Sequence, residues 1–337
     1  MSLVHHSISI HFVITLIKAA KRKGLDYELL LQKANLNPHM LTNSQLRITP
    51  NQFSKLMREL WIMGDDDFLG LAKQKCRHGV FTLMAKQAAN CPNLESIFRH
   101  MCHFYNLITD SIRLDFKLEG DLAYLSMKVI DPGLDPDFSL HEFLMLVWHR
   151  FPSWLIGQHL PLKAILLTYE QPKHVGEYRL MYPCPASFAQ DSNTLIFEAR
   201  HLKMPVVQTS NALRSYLRRS PIDWFTRQAY YQVFTQRVVS YLENSEQLAL
   251  TSMDDIAKQF HVTTRTLRRK LNDEGTRFQT LKDNVRRDTA IHYLSQPNVP
   301  IAQIARELGF SEPAAFTRAF KLWTGVSPKI YRASPKR

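Results

Sequence analysis

The pattern of apolar and polar positions divides the chain into a mixed first part and a helical last part. Ile8 to Ile17 is one short apolar run, and Leu25, Leu29, Leu30 and Leu31 precede a polar break from Asn35 to Pro38. Thr49 and Pro50 then open a run that carries Phe53, Leu56, Met57 and Leu60 at helical spacing. A hydroxyl N-cap followed by proline is a helix start, because the first helical N–H has no intrahelical partner to lose. The period changes to two between Ser111 and Leu118, where Ile112, Leu114, Phe116 and Leu118 alternate with polar residues. Glu119-Gly120-Asp121 turns the chain into a returning strand, Leu122 to Ile130, which predicts a hairpin. A helix is predicted from Ser139 to about Gln158 and a buried strand from Ala164 to Tyr169, with a short helix and one or two strands before Ser210.

Arg214 to Pro221 shifts to charge and ends in Arg218-Arg219-Ser220-Pro221, a helix-stopping signal. Beyond it the pattern is helical through Arg332. The expected class is therefore an α+β N-terminal domain followed by an all-α C-terminal domain; the features below make the first an effector or dimerisation domain and give the second two helix-turn-helix units joined by a long linker helix. The expected boundaries are 1–215, a linker over 216–230, and 231–337.

The helical part contains one unit twice. Ile256-Ala257-Lys258-Gln259-Phe260-His261-Val262-Thr263 is matched 48 residues later by Ile304-Ala305-Arg306-Glu307-Leu308-Gly309-Phe310-Ser311. Each part has a mechanical reason: the alanine admits a crossing helix, His261 or Gly309 makes the turn, an apolar residue plugs the corner, and a hydroxyl caps the next helix. This layout predicts helix-turn-helix motifs at about 253–273 and 301–323. The second helices are expected from Thr264 to about Asp273, anchored by Leu267 and Leu271, and from Glu312 to about Trp323, anchored by Phe316 and Phe320. Their outward positions are Thr264, Arg265, Arg268 and Arg269 in the first copy, and Ala314, Thr317 and Arg318 in the second, with Lys321 further along.

In such a motif the second helix lies in the major groove, and guanidinium groups on it pair with guanine or grip phosphate. Ser311 and the adjacent helix start are a further phosphate candidate. Between the copies, Phe278 to Leu294 has Leu281, Val285, Ala290, Ile291 and Leu294 as its apolar positions and Lys282, Arg286 and Arg287 on polar ones. A rod of this length, roughly 26 Å, is suited with its turns to setting two recognition helices about one duplex turn apart.

Composition sharpens this picture. The chain has 337 residues, 45% of them hydrophobic, enough for packed cores in two domains. The net charge is +13, and Thr251 to Arg337 holds 16 basic and 8 acidic residues, so +8 of it sits at the C-terminal end. That concentration points to a polyanionic partner, double-stranded DNA given the motifs beside it. Cys76, Cys91, Cys102 and Cys184 lack paired spacing and read as reduced thiols, and His100 and His103 beside Cys102 supply at most two ligands on one helical face. No metal or cofactor is expected. The apolar run from Ile8 is about ten residues against the 20 or so a bilayer needs, and its Lys18, Lys21, Arg22 and Lys23 follow rather than precede it. A packed helix, no membrane partner and a cytoplasmic protein are expected.

The run Asp255-Ile256-Ala257, then Arg265 to Leu271, Gly275, Phe278, Ile304-Ala305, Leu308 to Ser311, Phe316 to Lys321, Trp323, Gly325 to Pro328 and Tyr331-Arg332 resembles the DNA-binding domain of the AraC/XylS family of transcription regulators. The resemblance covers about a hundred residues and implies that Arg268, Arg269 and Arg318 fall at DNA-contacting positions and that RNA polymerase is a partner. The first half is similar to the effector domain of the subgroup with ornithine-responsive and virulence regulators, through Gly24-Leu25-Asp26, Leu29-Leu30, Arg47-Ile48-Thr49, Phe188 to Asn193, Leu195, Phe197, Leu202 and Pro205. That similarity implies control by a small-molecule effector.

Candidate effector residues are His103, Tyr105, Trp148 and Arg150, because ligand pockets combine aromatic walls with a few polar groups. Packing of these same residues in a core is the alternative. At the level of the whole chain, the alternative is a constitutive DNA-binding regulator whose first half only dimerises or docks a protein. An enzyme is not expected: a DNA-alkyl acceptor needs an activated thiol, and Cys184 in Pro183-Cys184-Pro185 has no neighbouring cation.

Overall fold

The computed structural model describes residues 7–182, 184–225, 234–245, 248–274, 276–296 and 298–332. Residues 226–230 of the expected linker and Gly275 lie outside the described residues. The chain forms two compact units that are not contiguous in sequence. One comprises residues 11–34 and 53–225, and the other residues up to 10, 35–52 and from 226 onward. The sequence reading assigns 1–215 to a single domain. By contact, residues 7–10 and 35–52 group with the C-terminal helices, to which they hydrogen-bond.

The strands are β1 (Ile8–Ser9), β2 (Arg47–Ile48), β3 (Ile112–Glu119), β4 (Leu122–Val129), β5 (Ala164–Leu166), β6 (Ala186–Ser187) and β7 (Asn193–Glu198). β1 and β2 pair antiparallel by themselves. The other five form a sheet ordered β3-β4-β7-β5-β6, antiparallel except between β5 and β6. The predicted hairpin is β3–β4, closed between Glu119 and Leu122 with Gly120 at positive φ. Its alternation puts Ile112, Leu114, Ala123, Leu125, Met127 and Val129 in the core, while Arg113 and Asp115 face solvent. Helix Leu94–Ile108 covers the apolar face, with Phe98 against Phe116 and Phe197 at centroid distances of 5.4 and 5.2 Å.

Thr49 caps helix Pro50–Gly64 as expected. Its Oγ1 accepts from the Gln52 amide at 3.2 Å, and Gln52 Oε1 accepts back from the Thr49 amide at 3.0 Å. Two expectations are shortened. The helix from Ser139 ends at Leu155, and the strand from Ala164 ends at Leu166 because Thr168 turns its amide to the Asn193 side chain, 3.0 Å away. The apolar run from Ile8 begins as a two-residue strand and continues as helix Ile10–Arg22.

In the other unit, no described residue from Phe234 to Arg332 lies in a strand, and helices joined by short connections make up the span. The first core gathers Val238, Leu242, Ile256, Leu267, Leu271, Leu281 and Val285. The linker helix Phe278–Leu294 contributes the last two, and its far end packs against helices Ile301–Glu307, Pro313–Thr324 and Pro328–Arg332. That second core holds Ile304, Phe316, Phe320 and Tyr331, with Phe320 meeting Tyr331 edge-on at 5.6 Å.

The strand pair belongs to this helical unit by specific bonds. Ser7 Oγ donates to Asp288 at 2.5 Å, Tyr331 donates its hydroxyl to the Arg47 carbonyl at 2.7 Å, and Asn43 donates to the Thr324 carbonyl at 3.2 Å.

Candidate nucleic-acid interface and effector cavity

The first helix-turn-helix is helix Met253–Gln259 followed by Thr264–Asp273. Ser252 and Asp255 form a capping box at its entry. His261 takes the turn at φ +55°, and Thr263 Oγ1 accepts from the Thr266 amide at 3.1 Å to start the second helix. Leu267 and Leu271 are buried, which turns Arg265, Arg268 and Arg269 to solvent, with Thr264 half-buried beside them. The three guanidinium groups therefore share one exposed surface.

The second copy is helix Ile301–Glu307 and helix Pro313–Thr324, with Gly309 in the turn at φ +75°. Phe316 and Phe320 are buried, and Ala314, Arg318 and Lys321 are exposed. Thr317 is half-buried and donates its hydroxyl to the Pro313 carbonyl of its own helix at 2.9 Å. One expectation is corrected: Ser311 does not cap this helix. The extra residue of the second copy makes Glu312 the N-cap, without a side-chain bond, and Pro313 at the first position removes one of the amides a cap would satisfy.

The two copies meet on the segment before the first motif. Gly309 sits so close to Ala249 that an added Cβ would overlap the Ala249 Cβ and come within 2.9 Å of its Cα. The same segment is held by Lys282 of the linker helix, whose Nζ donates to the Ala249 and Thr251 carbonyls at 2.8 Å each. Burial lowers the pKa of this ammonium. Arg286 lies over the Phe310 ring at 5.4 Å, and Arg287 pairs with Asp288 at 3.0 Å. Lys282 and Arg286 thus brace the two motifs, a role their polar spacing did not reveal, whereas the Arg287 pair stays within the linker helix.

In the other unit, Tyr105 and Trp148 meet edge-on at 4.7 Å and line one cavity of about 300 Å³. His103 is exposed and Arg150 is buried elsewhere, donating to the Met181 carbonyl at 3.1 Å, so neither lines it. The remaining walls were not singled out from sequence. They include Trp61, Phe81, Phe143 and Trp224, whose ring centroids lie 5.1 to 6.4 Å apart, together with Arg58, Asp67 and Arg218.

The Asp67 carboxylate accepts from the Phe81 amide at 2.9 Å, the Gly79 amide at 3.4 Å and His78 Nδ1 at 2.9 Å. Burial raises the Asp67 pKa despite these donors. Burial also pushes the thiols of Cys102 and Cys184 up to about 12, the opposite of an activated nucleophile. Among the described residues no cluster of three or more His, Cys, Asp or Glu is arranged to hold a metal ion, and no helix is long and apolar enough to cross a membrane.

A family model described as the arabinose-binding domain of AraC transcription regulators, N-terminal, matches residues 24–206, and one described as a helix-turn-helix domain matches 256–334. The ornithine utilization regulator of Pseudomonas aeruginosa is 23% identical over 337 residues, 97% of each chain. The transcriptional regulator VirS of Mycobacterium tuberculosis is 38% identical over 212 residues, 61% of this chain and 60% of that one. The solved structure of the transcriptional regulator CdpR from Pseudomonas aeruginosa aligns over 94% of this chain and 96% of that one at 22% identity. The TM-score of that alignment is 0.32.

Proposed function

We infer the function from one premise: the chain belongs to the AraC family of transcription regulators, and it is a DNA-binding regulator rather than an enzyme. We propose that its two recognition helices enter successive major grooves on one face of a promoter. Arg265, Arg268 and Arg269 supply most of the affinity, and Ala314, Thr317, Arg318 and Lys321 read or grip the second site. The observation that carries this is the repetition of one exposed, cation-bearing helix face over two buried anchor pairs. Exposed guanidinium groups on a recognition helix are free to bond bases and phosphates. The bracing of Ala249 by Lys282 and by the Gly309 turn supports a fixed spacing between the two helices, which suits an asymmetric site read by one protomer.

The remaining parts of the proposal concern control. A small effector bound in the residue 53–225 unit shifts the equilibrium between arrangements that do and do not engage DNA, which requires different affinities for the two. RNA polymerase and a second protomer are the proposed protein partners, and the cytoplasm is the proposed location. The relative named for ornithine utilization supports a small-molecule effector as the class of signal.

Selection of bound fragments from random DNA tests the core of this. The chain should enrich one asymmetric motif with two blocks about one duplex turn apart. Arg268→Ala should weaken binding to it by about 1 to 3 kcal/mol and relax preference in one block only. Enrichment of no motif, or an Arg268→Ala variant with unchanged affinity and preference, would overturn the assignment.

A further inference from the structure

The effector cavity can be asked which chemistry it accepts, because its hydrogen-bonding groups divide unevenly between those already committed and those still open. On the acceptor side little is left. Asp67 already takes three N–H donors. The carbonyls of Arg218, Arg219 and Ser220, at the end of helix Ser210–Arg219, are taken by Arg58 Nη2 at 3.3, 3.4 and 3.0 Å.

On the donor side the opposite holds. The indole N–H groups of Trp61 and Trp148 are buried with no acceptor, although both residues line the cavity. Every cavity-side bond of Arg58 comes from one of its nitrogens, in a group that carries five N–H donors. Arg218 is exposed, and its guanidinium makes one long bond, 3.5 Å, to Ser215. The hydroxyls of Thr82 and Tyr105 in the wall can serve either way, but the open charged capacity is of donor type, and two guanidinium groups among the walls favour a ligand that accepts, most strongly one that is anionic. The rest of the wall is aromatic, so the remainder of that ligand is apolar. A sugar, whose hydroxyls each need an acceptor as well as a donor, fits this inventory poorly.

We propose that the cavity binds a small monocarboxylate with an apolar body, its carboxylate held by Arg58 and Arg218 and its body packed among Trp61, Phe143 and Trp224. The volume, about 300 Å³, is at the lower end for small-molecule sites and matches a single ring with a short side chain. The regulatory meaning of this site rests on the effector reading above, but the binding itself does not, and it is measured in the absence of DNA.

Isothermal titration of the full-length chain with phenylacetate, phenethylamine, phenethyl alcohol and L-arabinose compares four ligands, the first three of like shape. Phenylacetate should bind saturably, and the amine and alcohol should bind at least about tenfold more weakly, the loss expected for a charged hydrogen bond left unmade. Arabinose should give no saturable heat. Arg218→Gln, a change at an exposed position that leaves the Arg58 bonds in place, should weaken phenylacetate by about tenfold and leave the alcohol unchanged. Leu144→Trp, which fills the cavity, should abolish phenylacetate binding while the variant still binds DNA.

Preference for the amine or for arabinose would overturn the proposal, as would absence of saturable binding by phenylacetate. Phenylacetate binding unaffected by both variants would place the ligand elsewhere and overturn it too. None of these results touches the DNA-binding assignment, whose failure would show only in the selection experiment.

Discussion

Replacing Gly309 by alanine tests how the two helix-turn-helix units are held together. The position has φ +75°, where an L side chain costs about 1 to 2 kcal/mol. It also faces Ala249, whose Cα would stand 2.9 Å from the new Cβ, far inside van der Waals contact. The segment that must yield is backbone, pinned through the Ala249 and Thr251 carbonyls by Lys282. An overpacked site of this kind costs about 1 to 3 kcal/mol more, so the total expected loss is roughly 2 to 5 kcal/mol.

The first copy provides the control, because His261 already occupies the equivalent turn at φ +55° without glycine. His261→Gly should change stability by no more than about 1 kcal/mol, since relief of the turn is offset by the freedom glycine gains when unfolded. Urea unfolding of both variants, followed by circular dichroism, gives the stabilities. Footprinting of Gly309→Ala on the selected site should show weakened protection in the second block before the first. A Gly309→Ala variant as stable as the parent, with both blocks protected, would refute the packing argument and the fixed spacing with it.

Two further outcomes follow from charge. DNA affinity should fall steeply as salt rises, with a log–log slope of several units, because each neutralised phosphate releases a counterion; a flat dependence would contradict an arginine face on the backbone. Stability should fall on acidification. Burial lowers the pKa of His149 to about 3 and that of His159 to about 2, so both rings stay neutral in the fold, whereas in the unfolded chain they protonate near 6.5. Unfolding therefore takes up protons below pH 6.5, and from there to pH 5 the two groups remove roughly 4 kcal/mol. The raised carboxyl of Glu142 acts in the opposite sense and offsets part of this. A urea midpoint that does not drop between pH 7 and pH 5 would contradict the burial of these rings.

The recognition helices were legible because they depend on local information. Anchors spaced at Leu267 and Leu271, or at Phe316 and Phe320, fix which neighbours face outward whatever the rest of the chain does. The cap of the second copy was misread at Ser311 because the inserted residue shifts the helix start past it, to a glutamate that makes no cap.

The candidate effector residues divided for a related reason. Residues two apart on a helix face nearly opposite sides, so when Tyr105 and Trp148 turn to the cavity, His103 and Arg150 turn away from it. Arg58 and Trp61 share one helix, but Phe81, Phe143 and Trp224 come from three others far apart in sequence, and no spacing rule brings these four helices together. The linker helix shows a second limit. Lys282 sits at a position that reads as solvent-facing, but its ammonium is consumed by two carbonyls that only the tertiary fold places within reach.

The pairing of β1 and β2 with the C-terminal helices bears on how this chain can be cut. A fragment beginning near residue 231 would strip Ser7 from the Asp288 carboxylate, the Arg47 carbonyl from the Tyr331 hydroxyl and Asn43 from the Thr324 carbonyl. Grafting the last hundred residues onto a foreign sensor would therefore transplant an incomplete fold. A faithful transplant would have to carry residues 7–10 and 35–52 along with it.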